Sequence, residues 1–313
     1  MAAALPRGPW RTAEDRLGDS TRHHHSGGDG LAHDHLTPVV IVVVLGAGLL
    51  HASWNAIVKY ISDGLVAFAL IGLAATVCGG AMLLVTGLPD GEAIPFAVAS
   101  AAVHIAYEFA LMNSYRIGAF NQTYPIARGT SPLVVAAGAY LFAHESLGSV
   151  PLAGVVVLGV GLMSLALSSG RLSKEDLPAV GAAVLTGLTI ATYTVIDGLG
   201  VRHANDAYAY GGLLFLIQGP VFPVIAVVRR PLAGLVSPAL AMRGLAAGCL
   251  SVLAYVGVLW AQTRAPLAEV AALRETSVIA AAVIGTLVLK ERFGVRRTVA
   301  AVLVAAGILL ISV

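Results

Sequence analysis

From Pro38 to Val313 the chain is a succession of apolar runs separated by short polar loops. A helix needs about 20 mostly apolar residues to cross a bilayer. Ten stretches meet that requirement: roughly residues 38–59, 64–87, 93–115, 119–141, 149–169, 177–199, 207–228, 239–261, 267–289 and 295–313. The links between them are brief, such as Arg116-Ile-Gly118 and Leu88-Pro-Asp-Gly-Glu92. Inside lipid every backbone polar group must be bonded within the protein, so only helices or closed barrels can span. Barrel strands alternate apolar and polar positions over about ten residues, and these runs do not alternate. The expected fold is an all-α polytopic membrane protein with about ten transmembrane helices.

Composition agrees with the pattern. Only 12% of residues are charged and 58% are apolar, against about 25% and about 45–50% in soluble domains. An ordinary soluble enzyme and a disordered chain are both excluded, because neither the charge to cover a water-facing surface nor the polarity of an unfolded chain is present. The 35 glycines fit helices that approach closely in lipid. A net charge of +2 points to no nucleic-acid partner. Cys78 and Cys249 lie in apolar runs and read as buried thiols, not as a disulfide framework.

Residues 1–37 differ from the rest. They hold four Arg, five acidic residues and five of the nine His, including His23, His24, His25, His33 and His35. No apolar run precedes Pro38, so no cleavable signal peptide is expected. The tail reads as a disordered, solvated extension, with weak divalent-metal binding by its imidazoles as the alternative. No metal site and no cofactor are expected in the remainder.

The chain repeats internally. At an offset of 146, Ala127-Arg-Gly-Thr-Ser131 matches Leu273-Arg-Glu-Thr-Ser277. The match runs on through Leu141/Leu287, Glu145/Glu291, Gly148/Gly294 and Gly161/Gly307. At an offset of 139, Gly48-Leu-Leu-His-Ala-Ser-Trp54 lies against Gly187-Leu-Thr-Ile-Ala-Thr-Tyr193. Residues 38–169 and 177–313 are thus expected to be two five-helix units. An odd number of crossings per unit inverts the second copy in the membrane. Inverted repeats are the architecture of secondary transporters, with the substrate near mid-membrane between the copies.

Several motifs carry a family resemblance. They are His51-Ala-Ser-Trp-Asn-Ala-Ile-Val-Lys59, Tyr124-Pro-Ile-Ala-Arg-Gly-Thr130, Tyr193-Thr-Val-Ile-Asp-Gly-Leu-Gly200, Leu273-Arg-Glu-Thr-Ser277 and Lys290-Glu-Arg-Phe-Gly294. Together they resemble EamA-type members of the drug/metabolite transporter superfamily over residues 38–313. The resemblance implies a carrier that moves small metabolites across the cytoplasmic membrane, often outward. The first repeat departs from the commoner Gly-Glu-Arg turn and reads Ala143-His-Glu145.

Ionisable residues within the apolar runs are the functional candidates, because a charge in mid-bilayer costs about 2.5–3.5 kcal/mol on insertion scales. Arg128 and Arg274 occupy matching repeat positions, and a guanidinium suits carboxylate or phosphate. They read as an anion-binding pair with Tyr124 one turn from Arg128, or as structural partners of buried acids. His104 and Glu108 share a helix face. Glu108, His104 and Glu275 are the proton-coupling candidates, or else members of permanent ion pairs; a Glu108–Arg128 pair follows if the third and fourth segments are neighbours. His51, Asn55 and Lys59 form one stripe with Trp54 beside it, and Thr186, Thr189, Tyr193 and Asp197 form a similar stripe. His51, Trp54, Asn55 and Tyr193 are expected to line the cavity. Lys59 and Asp197 have snorkelling to an interface as their alternative. Gln218, Pro220 and Pro223 mark a kink, and Glu269 suits a helix N-terminus.

No Gly-x4-Gly-Lys-Ser/Thr phosphate loop occurs, so transport would draw on proton exchange or on the substrate gradient. The expected substrate is a small polar metabolite such as an amino acid or organic anion. A membrane enzyme acting on lipid headgroups would need a catalytic cluster at one interface, and His144-Glu145 is the only loop pair of that kind; the chain is not expected to be an enzyme. A sensor or assembly protein built on the same fold is the remaining alternative. Basic loop residues gather after odd-numbered segments, among them Lys59, Arg116, Arg171, Arg229 and Arg292. That bias places both termini outside, whereas the resemblance implies termini inside.

Overall fold

The computed structural model describes residues 36–59, 61, 63–118, 120–167, 173–229, 236–278 and 295–311. The described residues are helical and contain no strand. The helices are α1 (Pro38–Lys59), α2 (Gly64–Thr86), α3 (Ile94–Ile117), α4 (Phe120–Phe142), α5 (Ser149–Leu167), α6 (Leu177–Arg202), α7 (Ala207–Gln218), α8 (Val221–Arg229), α9 (Pro238–Gln262), α10 (Leu267–Arg274) and α11 (Val295–Ile311). Up to residue 262 their outer bounds fall within three residues of the hydropathy-based expectation. The Lys290–Gly294 turn, with Glu291, and the tail up to residue 35 lie outside the described residues.

Local chemistry sets the helix starts. Asp63 caps α2 by accepting from the Leu65 and Val66 backbone N–H groups. Asp206 caps α7 through Tyr208 N–H at 2.6 Å, and Ser237 caps α9 through Leu240 N–H. These acceptors satisfy donors that have no partner inside the helix. The expected seventh segment is broken at Gly219-Pro220 into α7 and α8, where proline removes a backbone donor. The ninth is interrupted at Glu275: its N–H reaches back to Ala272 O, and Val278 N–H reaches Glu275 O.

Six helical stretches among the described residues are long and apolar enough to span a bilayer. Their outer faces carry bare apolar side chains; Leu84 is 90% exposed and Val85 86%. Such faces are stable against lipid and not against water, so the chain is a multi-pass membrane protein. Hydroxyls on these helices bond back to the preceding turn, as Thr76 does to Gly72 O and Thr194 to Ile190 O. Thr186 and Thr189 do the same, which satisfies them within α6.

The packing partners are α5 with α11, α2 with α7 and α8, α3 with α6, and α1 with α9. The α3 and α4 helices barely touch, and each packs on α6 instead. Their short link therefore does not make them close neighbours, because the apolar faces of both are better covered by α6. The α5–α11 seam is one of close backbone approach. A Cβ on Gly307 would lie 2.7 Å from Leu158 N and 2.8 Å from Gly154 O, and one on Gly154 would lie 2.7 Å from Gly307 O. Neither backbone can yield as a flexible side chain would. Gly307→Leu is expected to cost about 1–3 kcal/mol through overpacking, seen as a lower unfolding temperature in detergent, while Gly46→Leu, where a Cβ meets nothing, leaves it unchanged.

At the face that carries the α4–α5, α6–α7 and α9–α10 connections, one ion pair ties three loops. Arg202 Nη1 lies 2.6 Å from Glu145 Oε1. Arg202 also donates to Gln262 O and Ala265 O, and Glu145 Oε2 accepts from Leu267 N–H at the start of α10.

Candidate substrate cavity

A cavity lies at mid-depth among α1, α2, α3, α6, α7, α9 and α10. On α1 its wall is Ala47, His51 and Trp54, and on α3 it is His104, Tyr107 and Glu108. Helix periodicity produces both stripes, since residues three and four apart share a face. Phe68 and Ile71 of α2, Phe215 and Gln218 of α7, and Ser251, Ala254, Tyr255 and Val258 of α9 complete the sides. Tyr193 of α6 and Arg274 of α10 also line it.

The walls are rich in rings. His104 stacks on Tyr193 with centroids 3.8 Å apart and planes 23° from parallel. Tyr107 meets Tyr193 edge-on at 5.4 Å, and Trp54 meets His51 edge-on at 5.1 Å. Arg274 sits over this group: its guanidinium is 6.0 Å from the Tyr193 ring and 5.9 Å from the Tyr255 ring, within cation–π range. It donates one hydrogen bond to Tyr193 Oη at 3.1 Å. Among the described residues no carboxylate lies within ion-pair distance of Arg274, and no cation lies within that distance of Glu108. Trp54 Nε1 and Gln218 Oε1 are buried in the wall without a hydrogen-bond partner among the described residues. Buried polar atoms of that kind carry a desolvation penalty unless something bonds them.

Arg128 is placed differently from its repeat mate. Its Nε is 2.8 Å from Glu275 Oε2, with both side chains almost fully buried, and its Nη2 donates to Ser277 Oγ at 2.8 Å. This pair joins α4 to the interruption after α10. Arg128 and Arg274 thus have different partners, because the acid at 275 has no counterpart at Gly129 and turns to the arginine of the other repeat. Tyr124 packs with Val155, Leu158, Leu162, Ala272 and Val278 beneath the Arg128 guanidinium. Asn55 returns its amide to His51 O at 2.8 Å, a bond along its own helix. Arg128, Glu275, Tyr124 and Asn55 do not line the cavity.

Of the residues expected at the site, the structure brings together His51, Trp54, His104, Glu108, Tyr193 and Arg274. Sequence reasoning missed Phe68, Tyr107, Phe215, Gln218 and Tyr255 as lining. Tyr107 was within reach of it, standing beside Glu108; the others depend on which helices α1 and α3 face. Asp197 is not at an interface but wholly buried, where Tyr210 Oη donates to it at 2.8 Å and Tyr255 Oη donates as well. Among the described residues no group of three or more His, Cys, Asp or Glu is arranged to hold a metal ion.

With this geometry in hand, residues 177–313 match the EamA-like transporter family. One solved crystal structure is similar in fold, with a TM-score of 0.70 over 87% of this chain and 96% of its own length at 17% identity. No curated protein matches.

Proposed function

We propose, from the match of residues 177–313 to the EamA-like transporter family, that the whole chain is a secondary transporter. Its substrate is a small polar metabolite bearing an anionic group, such as an amino acid or organic anion, and it is exported across the cytoplasmic membrane. The observation that carries this reading is Arg274: a buried cation without a carboxylate partner among the described residues, held on tyrosine faces in the lining of a mid-depth cavity. A membrane protein rarely keeps an uncompensated guanidinium at that depth except on a substrate or ion pathway. The unpartnered Trp54 Nε1 and Gln218 Oε1 offer a donor and an acceptor to the rest of a ligand.

Two inverted five-helix repeats, 38–169 and 177–313, rock against each other in the proposed cycle. The packing supports this arrangement: exchanging the halves maps α3 on α6 to α9 on α1, and leaves α5 on α11 as its own counterpart. The close approaches repeat too. A Cβ on Gly48 would lie 2.9 Å from Thr276 Oγ1, and one on Gly187, its match at offset 139, would lie 2.8 Å from the Cβ of Thr130. The helix interruption at Glu275 adds support, since broken helices near mid-membrane are a feature of transporter sites. The driving force is a proton or substrate gradient.

Purified protein in proteoliposomes is expected to exchange radiolabelled small carboxylates and amino acids across the bilayer. Zero flux over a broad panel, in protein shown to be folded by its unfolding transition, overturns the carrier reading.

A further inference from the structure

Asp197 is the most deeply buried acid of the bundle that has no ion-pair partner among the described residues. It lies on α6, one face turned to α7 and α9. Its surroundings can be named element by element. From α7 comes the Tyr210 hydroxyl, at 2.8 Å from Oδ1. From α9 comes the Tyr255 hydroxyl, donating to Oδ2, with Gln262 two turns on bonding Thr194 O. From α3 come Ser100 and His104, whose Nδ1 lies 3.1 Å from Ser100 Oγ. From α10 comes Arg274, reaching α6 through Tyr193. The α4 face packed here is apolar, Gly138 against Val195.

All the groups in direct contact with the carboxylate are neutral hydroxyl donors. Arg274 makes no ion pair with it and rests against a tyrosine ring, its guanidinium 5.9 Å from the Tyr255 ring centroid. A carboxylate held only by neutral donors in a bundle interior exchanges its charge for a proton at far lower cost than one locked to a guanidinium, as Glu275 is to Arg128. It also needs a route for that proton. Tyr255 supplies one, because the same side chain that bonds Asp197 forms part of the cavity wall.

We propose that Asp197 is a proton-binding site of this protein, loaded from the cavity through the hydroxyl of Tyr255. In the step, the phenolic proton of Tyr255 passes to Asp197 Oδ2 while the phenol oxygen takes a proton from a hydronium ion in the cavity, which is left as water. The O–H bond broken is replaced by the O–H bond formed, and Tyr255 stays neutral throughout. On the reading of Arg274 as the anion site, the two events are linked. An anion at Arg274 and an ionised Asp197 draw on the same positive charge, so each bound anion favours a proton on Asp197, and by reciprocity each proton favours the anion. The cavity thus takes up anion and proton together.

The test is acid-minus-alkaline difference infrared spectroscopy on the full chain in lipid nanodiscs, which needs no substrate. The wild type is expected to show the C=O stretch of a protonated, hydrogen-bonded carboxyl that appears on acidification. Asp197→Asn loses that band; Glu108→Gln keeps it. Tyr255→Phe leaves the carboxyl in place and removes one donor and the relay, so at equilibrium the band persists at a shifted frequency but rises more slowly after an acid jump, which keeps the test open if Asp197→Asn does not fold. A wild type without the band, or a band unmoved in Asp197→Asn or in Tyr255→Phe, overturns the proposal. Failure of the transport reading is separable, because absent flux leaves the infrared result untouched.

Discussion

Arg128→Ala is expected to destabilise the folded bundle by about 3–5 kcal/mol, the usual consequence of leaving one half of a buried ion pair uncompensated. The variant keeps Glu275 buried at 1% exposure with its cation gone, and strips Ser277 of a donor as well. Glu275→Gln is expected to be milder, because the amide still accepts from the guanidinium. Replacing both partners by Leu and Met of similar bulk is expected to recover most of the loss, since two apolar groups carry no desolvation penalty. Thermal unfolding of the four proteins in one detergent measures the cycle. A singly substituted Arg128→Ala as stable as the wild type would show that the pair contributes nothing, and would return Arg128 to the substrate-contacting residues.

Arg274→Ala is expected to behave in the opposite way: near-native stability and no transport. No carboxylate loses its partner when this side chain is removed, and the tyrosine rings that hold it also stack on His104 and on one another. What is lost is the cation for the substrate. Removing one partner of a buried charge-assisted contact costs about 2–5 kcal/mol, so substrate affinity should fall by about 30-fold at the least. Arg274→Lys is expected to recover only part of it, because an ammonium lacks the planar fork that spans two oxygens and lies flat on Tyr193 and Tyr255. Flux and unfolding temperature measured on the same preparations separate the two arginines. Full transport by Arg274→Ala would remove this residue from the cavity's binding groups.

That contrast marks the limit of reading the chain residue by residue. Arg128 and Arg274 are identical at matching repeat positions, and sequence symmetry gives them one role. The difference comes from their successors, Gly129 and Glu275. Only when the halves are packed does Glu275 find Arg128 across the bundle and leave Arg274 to the cavity. Stripes on one helix were legible for a related reason. His51 and Trp54, or His104 and Glu108, share a face through the helical period alone. Asn55 obeys the same period and still turns back to His51 O, because a short amide reaches its own preceding turn more easily than a ligand. Asp197 shows the reverse. Its sequence position, a few residues from the end of α6, suits an interfacial acid, but α3, α7 and α9 close over it, and α7 and α9 supply the hydroxyls that make burial tolerable.

By itself, the sequence determined what lipid and backbone chemistry impose locally. It set the helical state, most helix bounds, the outward apolar faces and a short list of interior polar residues, because an unbonded peptide group or a stray charge is costly wherever the chain runs in the membrane. The tertiary structure decided what depends on distance between helices far apart in the chain. It paired α3 and α4 separately with α6, matched Glu275 to Arg128, tied Glu145 to Arg202, and gathered Phe68, Gln218 and Tyr255 into one cavity wall with Arg274. Hydrogen bonds and ion pairs act over a few ångströms, and which groups come that close is fixed only by how whole helix faces pack.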